Sequence, residues 1–218
     1  MIRHLLQLIW NQRKQNTWLW AELLLVSVFL WFLVDYLYVM GRTYTAPLGF
    51  DIRHTYSIVI SSLSERSPDY IPKEKRERPD GVHLLTALDR IRTYPGVESA
   101  CLTDGGMPYY MGSRNLVWRI DTLQVPCRYA FVTPEFFDVF RIYDKDGKTA
   151  SLKRAIEDNN SIVISADVET MNPGLSLLGQ KAYRGNVTDE IEETIRGISV
   201  PIRRHEYTKA EPNVYRAL

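Results

Sequence analysis

Apolar and polar residues are distributed very unevenly along this chain. Over residues 18–38, WLWAELLLVSVFLWFLVDYLY, apolar side chains run almost unbroken. Between Leu23 and Val34 the sole polar residue is Ser27, whose hydroxyl can bond back to its own helix. A run of about 20 such residues, each rising about 1.5 Å, matches the hydrocarbon core of a bilayer and predicts a transmembrane helix. Beyond it the pattern breaks into shorter periods. Residues 56–60, β-branched and aromatic, predict a strand. Leu84, Leu85, Leu88 and Ile91 fall at helical spacing, with Asp80 as the expected cap and Pro95-Gly96 as the stop. A strand is expected over 97–102, and a hairpin over 115–121 and 124–132 around Asp121-Thr122-Leu123. Thr133 as cap and Pro134 at the first helical position open a short helix whose Phe136, Phe137, Val139 and Phe140 supply its apolar side. Short helices over 152–157 and 166–171 flank a buried strand at 161–165. Residues 195–202 read as a further strand with 191–193 as its hairpin partner, and 211–216 as extended chain.

This pattern predicts an α+β protein: an N-terminus over 1–17, a transmembrane helix over 18–38, and a mixed α/β extracytoplasmic domain over 39–218 in one or two lobes. Leu5, Leu6, Leu8, Ile9 and Trp10 make the first stretch either an amphipathic element along the membrane surface or an extension of the same helix. Arg3, Arg13 and Lys14 precede the helix with no acid among them, whereas Arg42 and Arg53 beyond it are offset by Asp35 and Asp51. The positive-inside rule therefore places the N-terminus in the cytoplasm. A cleaved signal peptide ending near Val39-Met40-Gly41 is the rival reading. The long leader, the bulky aromatic core and Asp35 beside two tyrosines all stand against it. Glu22 and Asp35, the two acids of the segment, either reach toward headgroups or face a partner helix.

Charge and chemistry narrow the function classes. With 27 basic and 26 acidic residues the net charge is +1, which gives no footprint for nucleic acid. His4, His54, His83 and His205 are scattered without metal-ligand spacing, and no HExxH, GxSxG or CxxC occurs. No catalytic, cofactor-binding or metal-binding residue is assigned. Two loops are the candidate contact regions: 64–81, with three prolines and a mixed-charge run, and 103–113, where Tyr109, Tyr110 and Met111 form a possible partner-contact loop. Cys101 and Cys127 both fall on expected strands. In an oxidising compartment they make either a disulfide or two separate buried thiols.

The order of these pieces resembles the MacB/FtsX type of ABC transporter permease, over its first membrane helix and the MacB-like periplasmic core domain. The carrying phrases are YPGVESA at 94–100, VTPEFFDVF at 132–140, SIVIS at 161–165, LGQK at 178–181, IRGISV at 195–200 and PNVY at 212–215. The resemblance implies a non-catalytic permease component in a bacterial inner membrane. A separate cytoplasmic ATPase subunit would drive it as a homodimer or paired permease, and its periplasmic domain would transmit motion to a periplasmic partner or substrate. Members of the family carry further membrane helices after this domain, so the chain is expected to be the N-terminal part of a longer permease. The alternative is a single-pass, membrane-anchored ligand-binding or sensor module without transport activity.

Overall fold

The computed structural model describes residues 2–11, 17–61, 63–72, 75, 79–110, 112, 114–184 and 190–218. They form two units, Met1–Ala46 and Pro47–Leu218. The first unit holds α1 (Ile2–Asn11) and α2 (Thr17–Thr45). Arg13 and Lys14 lie outside the described residues. Helix α2 runs 29 residues, further than the apolar stretch alone predicts. Pro47 then restricts the residue before it to extended geometry and the helix does not pass it. No residue of α2 is buried, and its best window has a mean hydropathy of 2.2. A helix apolar all round, at about 43 Å, is long enough to cross a membrane. Glu22 and Asp35 both lie on its exposed surface.

The second unit is a mixed α/β domain. Its elements in order are α3 (Asp80–Arg92), β1 (Thr103–Asp104), β2 (Arg114–Ile120), β3 (Leu123–Val132), α4 (Phe136–Val139), α5 (Ala150–Ala155), β4 (Ser161–Ser165), α6 (Asp167–Met171), β5 (Lys181–Arg184), β6 (Ile191–Ser199) and β7 (Asn213–Ala217). The predicted hairpin is present as β2 and β3, with Ile120 opposite Leu123. The two-residue turn between them needs a left-handed backbone, and Asp121 supplies it at φ +53°.

The strand pairings close on themselves. Strand β3 lies antiparallel to β2, β2 to β5, and β5 to β6; β6 runs parallel to β4, β4 antiparallel to β7, and β7 parallel to β3 again. Pro126 is tolerated within β3 because it precedes Arg128–Val132, the stretch where β7 joins the strand's other edge. Alternation of side chains sends two sets of residues to two cores. Trp118, Ile120, Val125, Cys127, Ile162, Ile164, Ala182, Ile195 and Val214 form one cluster, to which every strand of the circuit contributes. A ring this small is filled by its own side chains. Ala130, Val132, Val163 and Tyr215 face the other way, against Phe136, Phe137, Phe140, Leu152, Ala155 and Ile156 from the helical segments.

Closure explains several departures from the sequence pattern. Residues 56–60 are not a strand: they join no ladder and are exposed, Tyr56 and Val59 each at 86%. Residues 97–102 are likewise outside the ladder, and only Thr103 and Asp104 pair, with Val132 and Phe131, because β2 occupies that edge of β3 from Tyr129 backward. The Thr133 hydroxyl does not cap α4. It accepts from the Leu102 amide at 3.1 Å, and Glu135 stands at the cap position. At α3 the cap position belongs to Pro79, with Asp80 the first helical residue. Leu88 is buried, but Leu84 and Leu85 remain exposed. The two strands expected over 191–202 are one, β6, and α5 begins at Ala150, before the predicted start.

The start of the domain is tied down by a close approach. Gly49, at φ +83°, lies so near Pro201 that a Cβ there would sit 2.1 Å from the Pro201 carbonyl oxygen. Leu48 O accepts from the Arg203 amide at 3.0 Å, and the Asp51 amide donates to Phe140 O at 2.9 Å. Arg53 hydrogen bonds hold the Asp51 carboxyl at about 2. Helix α5 lies directly on β6. A Cβ at Gly197 would meet Val163 Cγ2 at 2.8 Å, Ala155 Cβ at 3.0 Å and Leu152 Cδ2 at 3.3 Å. Gly197→Val is therefore expected to destabilise the domain by about 1–3 kcal/mol through overpacking, with Gly197→Ala milder, both read by thermal unfolding.

Candidate functional site

Among the described residues, no group of three or more His, Cys, Asp or Glu is placed to hold a metal ion. The features that stand out are a fastened loop, a buried charge cluster and two thiols.

The loop that follows β1 is held at several points. Gly105 and Gly106 take positive φ, and Gly106 lies against Ala130 and Tyr215. Tyr109, at φ +60°, donates its amide to Arg204 O at 3.1 Å. Its hydroxyl donates to Glu206, which holds that carboxyl below the ordinary range. Its ring meets Phe50 edge-on at 5.8 Å. Tyr109 thus fastens the loop to segments far away in sequence, although 42% of it is exposed. Tyr110 is exposed as well, with its ring packed over Gly112. Met111, the third residue expected in this contact loop, lies outside the described residues. The same is true of most of the mixed-charge run of the 64–81 loop, since residues 73, 74 and 76–78 are not described.

Glu193 is the charge that the sequence pattern misses. Its side chain is fully enclosed, with Arg184 Nε 3.4 Å from Oε2 and Arg216 Nε against Oε1. Burial pushes this carboxyl up, and the two guanidinium groups, Arg216 first, pull it back. Arg216 also lies over the Phe131 ring at 5.7 Å, and Arg184 is opposite Trp118 across the β2–β5 ladder. The available signal is parity: Glu193 shares the face of Ile195, two residues on, and so points toward the enclosed cluster.

Cys101 and Cys127 are both free. The bridge is absent because they belong to different packing regions: Cys127 lies within the enclosed cluster and Cys101 against the helix-covered one. Burial pushes each thiol up to about 12.

No protein-family model matches this chain, and no curated protein matches it. Among solved structures it is similar to the periplasmic region of MacB from Actinobacillus actinomycetemcomitans, at 10% identity and a TM-score of 0.41, over 61% of this chain and 54% of that one. It is similar to a domain described as a permease protein from Porphyromonas gingivalis, at 20% identity and a TM-score of 0.43, over 59% and 49%. A third similar structure is the extracellular domain of the noncanonic ABC-type transporter YknZ from Gram-positive bacteria, at 13% identity and a TM-score of 0.42, over 60% and 59%. The chain spans about half the length of these structures.

Two outcomes are expected from this geometry. Glu193→Ala leaves two arginines facing a void without a counter-ion, and equilibrium urea unfolding should show a loss of about 3–5 kcal/mol. The native protein at pH 8 should show almost no reaction of Cys101 or Cys127 with a thiol reagent, because thiols at about 12 hold almost no thiolate there. Both should react after unfolding, with no mobility change on a non-reducing gel.

Proposed function

We propose that this chain is the N-terminal part of an ABC transporter permease, anchored in a bacterial inner membrane by α2, with its N-terminus cytoplasmic and residues 47–218 outside. In this reading a separate cytoplasmic ATPase subunit supplies the energy, the permease works as a homodimer or pair, and the outer domain passes motion to an extracytoplasmic partner. The observation that carries it is where the family-like phrases fall. VTPEFFDVF spans the end of β3 and all of α4, SIVIS is β4, LGQK leads into β5, IRGISV ends β6, and PNVY enters β7. They supply the framework of the domain and are not confined to its loops. A long apolar helix with no buried residue on the same chain supports a membrane setting.

The physical character of the domain suits mechanical transmission. A sheet whose pairings close on themselves has little freedom to slip in register, so a force applied at one point moves the body as a whole. The loop that follows β1 is the proposed contact region. Tyr109 sets its shape and Tyr110 offers an exposed ring.

The test starts from native membranes. Affinity capture of the chain should bring down an ATP-binding-cassette subunit identifiable by mass spectrometry. Tyr207→Cys, at an exposed position, should be labelled by a membrane-impermeant maleimide before the inner membrane is ruptured. Capture without any ATPase subunit would remove the transporter reading. Labelling only after rupture would reverse the orientation.

A further inference from the structure

One pentapeptide occurs twice in this chain. Ser57-Ile58-Val59-Ile60-Ser61 repeats Ser161-Ile162-Val163-Ile164-Ser165 residue for residue. The second occurrence is β4, wholly buried, parallel to β6 on one side and antiparallel to β7 on the other. The first joins no ladder, and among the described residues no backbone hydrogen bond reaches 56–61. Ile58 and Val59 are 65% and 86% exposed, with Tyr56 and Ile60 exposed beside them. Local preference is the same in both stretches, so what separates them is a neighbouring strand.

An exposed apolar segment of high strand preference, free of proline and charge, is a template for pairing with another chain. Its own sequence selects the partner. SIVIS reads the same in both directions, so two copies laid antiparallel about Val59 place Val59 opposite Val59, Ile58 opposite Ile60 and Ser57 opposite Ser61. Each pair is matched in size and character, and the arrangement has the two-fold symmetry of the commonest homo-oligomers. The flanks agree. The same register brings Arg53 of each copy, which also holds Asp51, to Glu65 of the other. A parallel in-register pair would instead set Arg53 against Arg53 and Glu65 against Glu65. Both flanking residues are exposed, and each lies in a turn, closed by the Thr55 amide to Ile52 O at 3.0 Å and by the Ser67 amide to Ser64 O at 2.8 Å. The turns confine the pairing to the stretch between them.

We infer that residues 57–61 form an antiparallel strand pair with the same residues of a second copy of this chain, joining two outer domains. The inference rests on the proposed function only in needing two copies side by side. A pair of five-residue strands is small beside a standard interface of about 1,600 Å². It gains from α2, which ends at Thr45 and would hold both copies in one membrane, so that pairing takes place at high effective concentration.

The test introduces single cysteines into the full chain in native membranes and applies copper phenanthroline, with the parent chain, carrying Cys101 and Cys127, as the blank. Val59→Cys should run as a dimer on a non-reducing gel, because the two Cβ atoms would face each other at about 5 Å. Tyr56→Cys should stay monomeric, because its two copies would stand about 20 Å apart along the ribbon. Ser57→Cys chains mixed with Ser61→Cys chains should cross-link, and neither should do so alone. Equal cross-linking of Val59→Cys and Tyr56→Cys would overturn the antiparallel register. Co-capture of two differently tagged copies reports separately whether the chains are paired at all. Co-capture without cross-linking at Val59 would overturn this interface and leave the paired permease standing, whereas loss of both would remove the interface and the pair together.

Discussion

Strand β3 is the constraint on which the rest of the domain depends. Its early part is paired with β2 and its late part with β7, while β1 catches its last residues beyond the reach of β2. Because β7 is also paired to β4, and β4 to β6, this one strand turns an open sheet into a closed circuit. Every residue's placement then follows from parity. Val125 and Cys127 go to the enclosed cluster, while Ala130 and Val132 go to the face where the Phe136, Phe137 and Phe140 rings stack on Tyr215.

Closure also governs how the domain treats charge. A carboxylate inside a ring of strands has no water to turn to, so Glu193 is tolerated only between Arg184 and Arg216. The two arginines hold the fold around that carboxylate. Arg128, where β7 joins β3, is half-buried, and Glu211 offsets part of what burial and Arg204 take from its charge.

The remaining segments are fastened to this body by few points. Gly49 presses on Pro201, Asp51 bonds to Phe140, and Arg92 joins Glu135 and the Ala100 carbonyl. Between these points lie residues 56–60, mostly apolar and exposed.

The sequence by itself determined what depends on local chemistry. The apolar run of α2 announces a membrane-length helix, because no soluble fold exposes such a surface without cause. Alternation and a two-residue turn announce the β2–β3 hairpin, and the all-apolar centre of SIVIS announces a strand covered on both faces. Only tertiary structure decided which strands meet. Residues 56–60 and 97–102 have the composition of strands yet stay outside the ladder, since composition sets only a propensity and tertiary pairing sets the outcome. For the same reason no local signal could separate Cys101 from Cys127, or bring Arg184, Glu193 and Arg216 together: these relations are created by long-range pairings that close the ring.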